Sequence, residues 1–129
     1  VTDPCHGMAA GDEYASVTVP SVYRTSKFFT DARGWVAHVH HSILFLRVFP
    51  DLTPAQAAPL QGELELFFGI ERDYIELENQ GAYQRLDPGH SLTYPVQWRI
   101  SPLDPAVPND RVTPALLAVI AIQLAPGTP

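Results

Sequence analysis

The sequence predicts an all-β fold: a compact antiparallel β-sandwich of jelly-roll type with one C-terminal helix. Three observations carry that expectation. Short runs in which apolar and polar residues alternate recur along the chain, among them "YASVTVPSVYR", "ELELFFG" and "DYIELEN". Turn-forming Gly, Pro and Asp residues separate these runs. Near the end, "TPALLAVIAIQLA" carries helix-start chemistry instead, with Thr113 as N-cap and Pro114 at the first helical position, although Val119 to Ile122 also fit a strand.

Taken in order, residues 1–13 lack periodicity and read as a loose arm, leaving 14–129 as a single β-sandwich domain. In "YASVTVPSVYR", Val17 and Val19 share a face, and Pro20 confines the strand to an edge or an end. "KFFT" leads through Gly34 into "GWVAHVHHSILFLRVF", too long for one flat strand, so a bulge or bend is expected near His41 and Ser42. Without it the alternation would put Leu44 and Leu46 on the same side as His38. "PDLTPAQAAPLQG" is a loop. Next come two strands joined by "GIERD", in which Glu63 and Glu65 oppose Leu64 and Leu66, and Glu76 and Glu78 oppose Ile75 and Leu77. A Pro88-Gly89 turn precedes a last strand from about Ser91 to Ile100, and "SPLDPAVPNDRV" links it to the helix.

Composition excludes several function classes. Eight basic residues stand against fourteen acidic ones, for a net charge of −6, and Lys27 is the only lysine. Such a chain cannot assemble the cationic face that nucleic acid requires, and a neutral partner such as a sugar polymer suits it better. No stretch approaches the roughly 20 apolar residues of a membrane helix. Cys5 is the only cysteine, which rules out an internal disulfide and a thiolate-rich zinc site; it reads as a free thiol near the terminus, or else as an intermolecular bridge or a metal contact with His6. There is no nucleophile elbow, Gly-rich phosphate loop or His-Glu-x-x-His sequence.

The sharpest local feature is "GWVAHVHHSILF". On a strand, Trp35, Ala37 and Val39 take one side, and His38 and His40 take the other. Two imidazoles at i and i+2 sit roughly 7 Å apart at the backbone, a spacing that lets them grip one metal ion. They could equally be edge-strand histidines facing water. The opposing apolar face and the carbonyl of Gln97 favour the metal, with His90 and His41 as alternative ligands. Imidazole and neutral oxygen donors without thiolate suit copper first, then zinc, iron or nickel. Glu65, Glu76, Glu78, Tyr83 and Tyr94 are candidates for managing protons nearby, although each glutamate also fits a solvated strand face. Paired carboxylates would alternatively serve glycoside hydrolysis. Trp35 and Trp98 share their faces with apolar neighbours and read first as core, with sugar stacking as the second reading. Tyr83 and Tyr94 lie nearer the turn, where a polymer is reached more easily.

The run "YIELENQGAYQRLDPGHSLTYPVQWRI", together with "GWVAHVHHSILFLRVFP", resembles the C-terminal region of an uncharacterised bacterial family whose β-supersandwich is similar to galactose mutarotases; the resemblance spans roughly residues 24–103. It implies a β fold and a carbohydrate context. His38 stands where that family's pattern has an aromatic residue, and Gln97 where it has an arginine. "LDPGHSLTYPVQW" also resembles the turn-and-strand pattern of cupins, which carry a His-x-His on an earlier strand, although the cupin glutamate is missing because residues 42–49 hold no carboxylate. In size and layout the chain resembles compact cupin-type copper enzymes that cleave cellulose oxidatively. That resemblance implies a copper-dependent oxidoreductase acting on a β-linked polysaccharide, with His38, His40 and Gln97 as ligands, Glu65 and Tyr94 as catalytic groups, and Tyr83 and Trp98 against the substrate. The alternatives are a non-catalytic carbohydrate-binding module and a mutarotase-like fragment. A secreted location and a homodimer are expected, the second copy covering the sandwich's open edges and faces.

Overall fold

The computed structural model describes residues 8–10, 14–17, 26–69 and 74–126. The chain is mostly β: two three-stranded antiparallel sheets, a small two-stranded ribbon and one C-terminal helix, with no closed barrel among the described residues. The ribbon pairs β1 (Met8–Ala10) with β2 (Ala15–Val17). Part of the segment expected to be a loose arm is therefore a strand, its backbone hydrogen bonds satisfied by a neighbour a few residues on. Cys5, His6, Val19 and Pro20 lie outside the described residues.

The first large sheet has the order β3 (Ser26–Thr30), β6 (Leu64–Gly69), β7 (Tyr74–Asn79). Both glutamate alternations fall where the sequence places them, and residues 70–73 of the expected turn lie outside the described residues. One face carries Phe28, Leu64, Leu66, Phe68, Ile75 and Leu77, with the Phe28 and Phe68 rings edge to face at 5.8 Å. The other carries Lys27, Phe29, Glu65, Phe67, Glu76 and Glu78.

The second sheet has the order β4 (Trp35–His40), β5 (Ile43–Val48), β8 (Gln97–Pro102). The long apolar segment neither bulges nor bends. It reverses in a two-residue hairpin, His40 pairing with Ile43, and both turn residues have left-handed backbones: His41 at φ 46° and Ser42 at φ 61°. This is the conformation that two-residue hairpins demand and that Asn-Gly ordinarily supplies. The reversal resets the alternation, so Leu44 and Leu46 face away from His38. The last strand begins at Gln97 rather than near Ser91. Residues 80–96 form an irregular excursion, with the expected Pro-Gly turn marked by Gly89 at φ 85° and the bond from His90 N–H to the Asp87 carbonyl at 3.0 Å.

Helix α1 (Pro114–Leu124) starts as the sequence predicts, Thr113 Oγ1 accepting from the Leu116 N–H at 3.2 Å. Leu116 and Ile120, one turn apart, pack with Leu44, Leu46 and Leu103 into the core, flanked by Trp35, Ala37, Val39 and Val48. Leu44 and Leu46 are the most completely enclosed, each worth roughly 1.5–3 kcal/mol of transfer free energy. The helix thus covers one face of the second sheet, and Val119 and Leu124 extend that contact. No helix among the described residues is long and apolar enough to cross a membrane.

Candidate functional site

The helix-covered face leaves the opposite face of β4, β5 and β8 as the surface on which the histidines lie. Residues directly opposed across strands share a face, so the pairings define a grid of three rows: Val36, Arg47 and Trp98; His38, Phe45 and Ile100; His40, Ile43 and Pro102. Nothing in the grid is acidic. Its single charge, Arg47, is turned aside: the guanidinium donates to the Leu77 carbonyl and the Asn79 side-chain carbonyl on β7, tying this sheet to the other. Ile43, Trp98 and Ile100 are exposed, Trp98 at 66%.

The imidazoles occupy one end of this face. The rings of His38 and His40 stack nearly parallel, 6.1 Å apart with 9° between planes, as the i, i+2 spacing predicts. His41, presented by the turn, lies 3.9 Å from His40. His38 is half-buried, and both its desolvation and the nearby His40 hold its pKa below the ordinary imidazole value. Their outer neighbours, His40 and His41, are exposed.

The remaining sequence candidates do not join them. Gln97 pairs with Val48 across the strands, which puts it on the opposite face and two strands from β4; its side-chain oxygen accepts from Arg99 at 3.0 Å. Sequence separation alone does not reveal that β5 intervenes or that the odd-numbered residues of β8 turn the other way. Glu65 lies in the other sheet, on the face turned away from Asn79, and is buried against the Lys27 ammonium. That ion pair in turn holds the Lys27 pKa above its ordinary value. Tyr94 is half-buried, its hydroxyl accepting from the Asn79 amide at 3.1 Å, and burial pushes its pKa up. Tyr83 is exposed in the 80–96 excursion, anchored by its N–H to the Gln56 carbonyl at 2.8 Å. His90 is exposed beside the Pro-Gly turn. Of the two tryptophans expected in the core, Trp35 packs there and Trp98 does not: its ring meets Phe45 edge-on at 5.5 Å, with the Arg47 guanidinium 5.7 Å from its centre.

A second cluster leaves no signal in the sequence. Among the described residues, one group of three potential metal-binding side chains has its ligand atoms within 4.8 Å of one another: Asp31, Asp51 and Glu63. It borders a cleft of about 260 Å³ lined by Phe29, Thr30, Leu52 and Thr53. Hard carboxylate oxygens suit calcium or magnesium, not a copper site built on imidazole. Yet buried Glu63 already has both oxygens engaged, accepting the Ala32 N–H at 3.0 Å and the Leu52 N–H at 2.9 Å. Its evident work is to pin two loops together. The three residues come from separated stretches with no common spacing, so only the fold brings them together.

Scanned against protein-family models, the chain matches none. Neither the curated proteins nor the solved structures contain a match. The sugar-related and cupin resemblances therefore rest on the quoted motifs alone.

Proposed function

We propose that this chain binds carbohydrate non-catalytically, laying an uncharged polysaccharide across the open face of β4, β5 and β8. The observation that carries this reading is the position of Trp98: a large aromatic ring 66% exposed on a sheet face without a carboxylate. Sugar rings present flat patches of C–H groups edged by hydroxyls. An aromatic ring gives those patches an apolar platform, and His38 and His40 supply polar edges within the same face. Phe45 and the Arg47 guanidinium brace the Trp98 ring, which lowers the ordering cost of binding.

A second reading, oxidative cleavage of the same polymer at a copper ion, is favoured by one observation: the imidazoles and Trp98 belong to one surface. It would be carried by oxidised sugars released from cellulose by copper-loaded protein supplied with reductant and peroxide. The finer architecture we infer is a jelly-roll-type sandwich, supported by the reach of Arg47 to β7, which joins the two large sheets at the Val36–Arg47–Trp98 row while Ile43, Trp98 and Ile100 stay exposed.

Depletion onto insoluble cellulose, with soluble oligosaccharide titrations followed by tryptophan fluorescence, tests the binding reading. Trp35 is half-buried against the core on the opposite face, so a spectral response to sugar that disappears in Trp98→Ala belongs to Trp98. Binding by the parent chain and its loss in a folded Trp98→Ala variant are expected. Binding indifferent to that substitution, or absent from the parent chain, overturns the proposal. A parent chain that sediments as a dimer, and a Trp98→Ala variant that is monomeric, would assign the face to a second copy instead.

A further inference from the structure

We propose that His38, His40 and His41 form a binding site for a borderline divalent transition metal, Zn²⁺ or Cu²⁺, held by three imidazoles from a single β-hairpin. This goes beyond carbohydrate binding and does not depend on it.

The three rings are consecutive neighbours at the hairpin end, with centres 6.1 Å apart for His38–His40 and 3.9 Å for His40–His41. Metal–nitrogen bonds of about 2.0–2.1 Å place the ring centres of two imidazole ligands roughly 5 Å apart around a tetrahedral ion. The observed separations straddle that value. The donor nitrogens of the three rings do not all lie within 4.8 Å of one another, so binding requires the His40 and His41 side chains to rotate toward His38. Both of those side chains are exposed.

The surroundings agree with the donor set. No lysine lies in the sheet face, and the one guanidinium there is directed to Leu77 and Asn79, so no fixed cation competes with the ion. No carboxylate lies in the face either, which disfavours calcium and magnesium and leaves the selection to imidazole nitrogen. The third ring is brought to His40 by a turn with two non-glycine residues at positive φ. Three donors from one hairpin leave a fourth position for water or a neutral oxygen of a ligand lying on the same face.

The test uses Zn²⁺ alone, without sugar, on the whole chain. Histidine side-chain NMR during titration is expected to show one-to-one saturation, with His38, His40 and His41 shifting together and His90 unmoved. His38→Ala and His41→Ala are each expected to weaken binding about tenfold or more, and His40→Ala to weaken it further. His90→Ala should bind as the parent does. Binding retained by a folded His38→Ala/His40→Ala double variant, binding lost in Asp51→Asn, or no saturable shift at the three histidines overturns the proposal. Because no sugar is present, failure here leaves the carbohydrate reading standing, and failure of cellulose binding leaves this one standing.

Discussion

Arg47 on one sheet donates to the side-chain carbonyl of Asn79 on the other, and the Asn79 amide donates onward to the Tyr94 hydroxyl. A single half-buried cation thus connects β5, β7 and the 80–96 excursion, with burial lowering its pKa from an already high value. Bonds from a charged donor are worth more than neutral ones, and losing this donor orphans two carbonyl acceptors. Arg47→Leu is expected to cost about 2–3 kcal/mol in urea unfolding. Arg47→Lys should recover only part, because an ammonium cannot reproduce the two-pronged contact. Equal stability of the parent and the leucine variant would mean that the sheets hold together without this bridge.

On the other face of the first sheet, Glu78 stands directly opposite Glu65, with Glu76 two residues away on the same strand. Desolvation, the Glu65 charge and a hydrogen bond with Glu76 raise the Glu78 pKa, against a smaller opposing pull from Lys27. The folded chain therefore holds this proton more tightly than the unfolded chain. The resulting stability is fully present below the ordinary glutamate pKa and is lost as pH rises through the raised value. Glu78→Gln is expected to stabilise the chain at neutral pH by about 0.2–0.5 kcal/mol, a small figure because Glu78 is exposed and solvent screens it. Urea melts at neutral and acidic pH, repeated at high salt, check this. The gain should shrink on acidification and on adding salt, and a gain that persists in acid would rule out the like-charge cause.

How far the sequence reached depends on the range of the interactions involved. Thr113-Pro114, Pro88-Gly89 and the two glutamate alternations act within a few residues, and all four lie where local chemistry puts them. The His38–His40 stack was legible for the same reason, since i and i+2 on a strand share a side. The position of Gln97 is not legible in the same way, because a shared face across strands depends on pairing and register, which sequence separation does not encode. Glu63 and Glu65 sit in one "ELE" with the same apparent status. The first pins loops through Ala32 and Leu52, whereas the second pairs with Lys27. Both are buried, against the general rule for glutamate, because each found its partner more than ten residues away. Trp98 escaped the core because the helix covers only the opposite face of its sheet.

The turn between β4 and β5 combines strain with the proposed metal site. His41 and Ser42 hold φ values of 46° and 61°, which cost a residue bearing a Cβ and cost glycine almost nothing. Replacing them with Asn-Gly, the pair this hairpin geometry prefers, is expected to stabilise the chain by about 1–2 kcal/mol. The urea midpoint should rise with an unchanged slope, and the His40–Ile43 pairing should persist in backbone NMR. The same change removes the third imidazole, so Zn²⁺ affinity should fall while stability rises. Opposite movement of the two quantities is the signature of a turn whose strain serves the site. Should stability fail to rise, the left-handed residues are not strained in solution. A rise in stability with undiminished Zn²⁺ affinity would instead remove His41 from the ligand set.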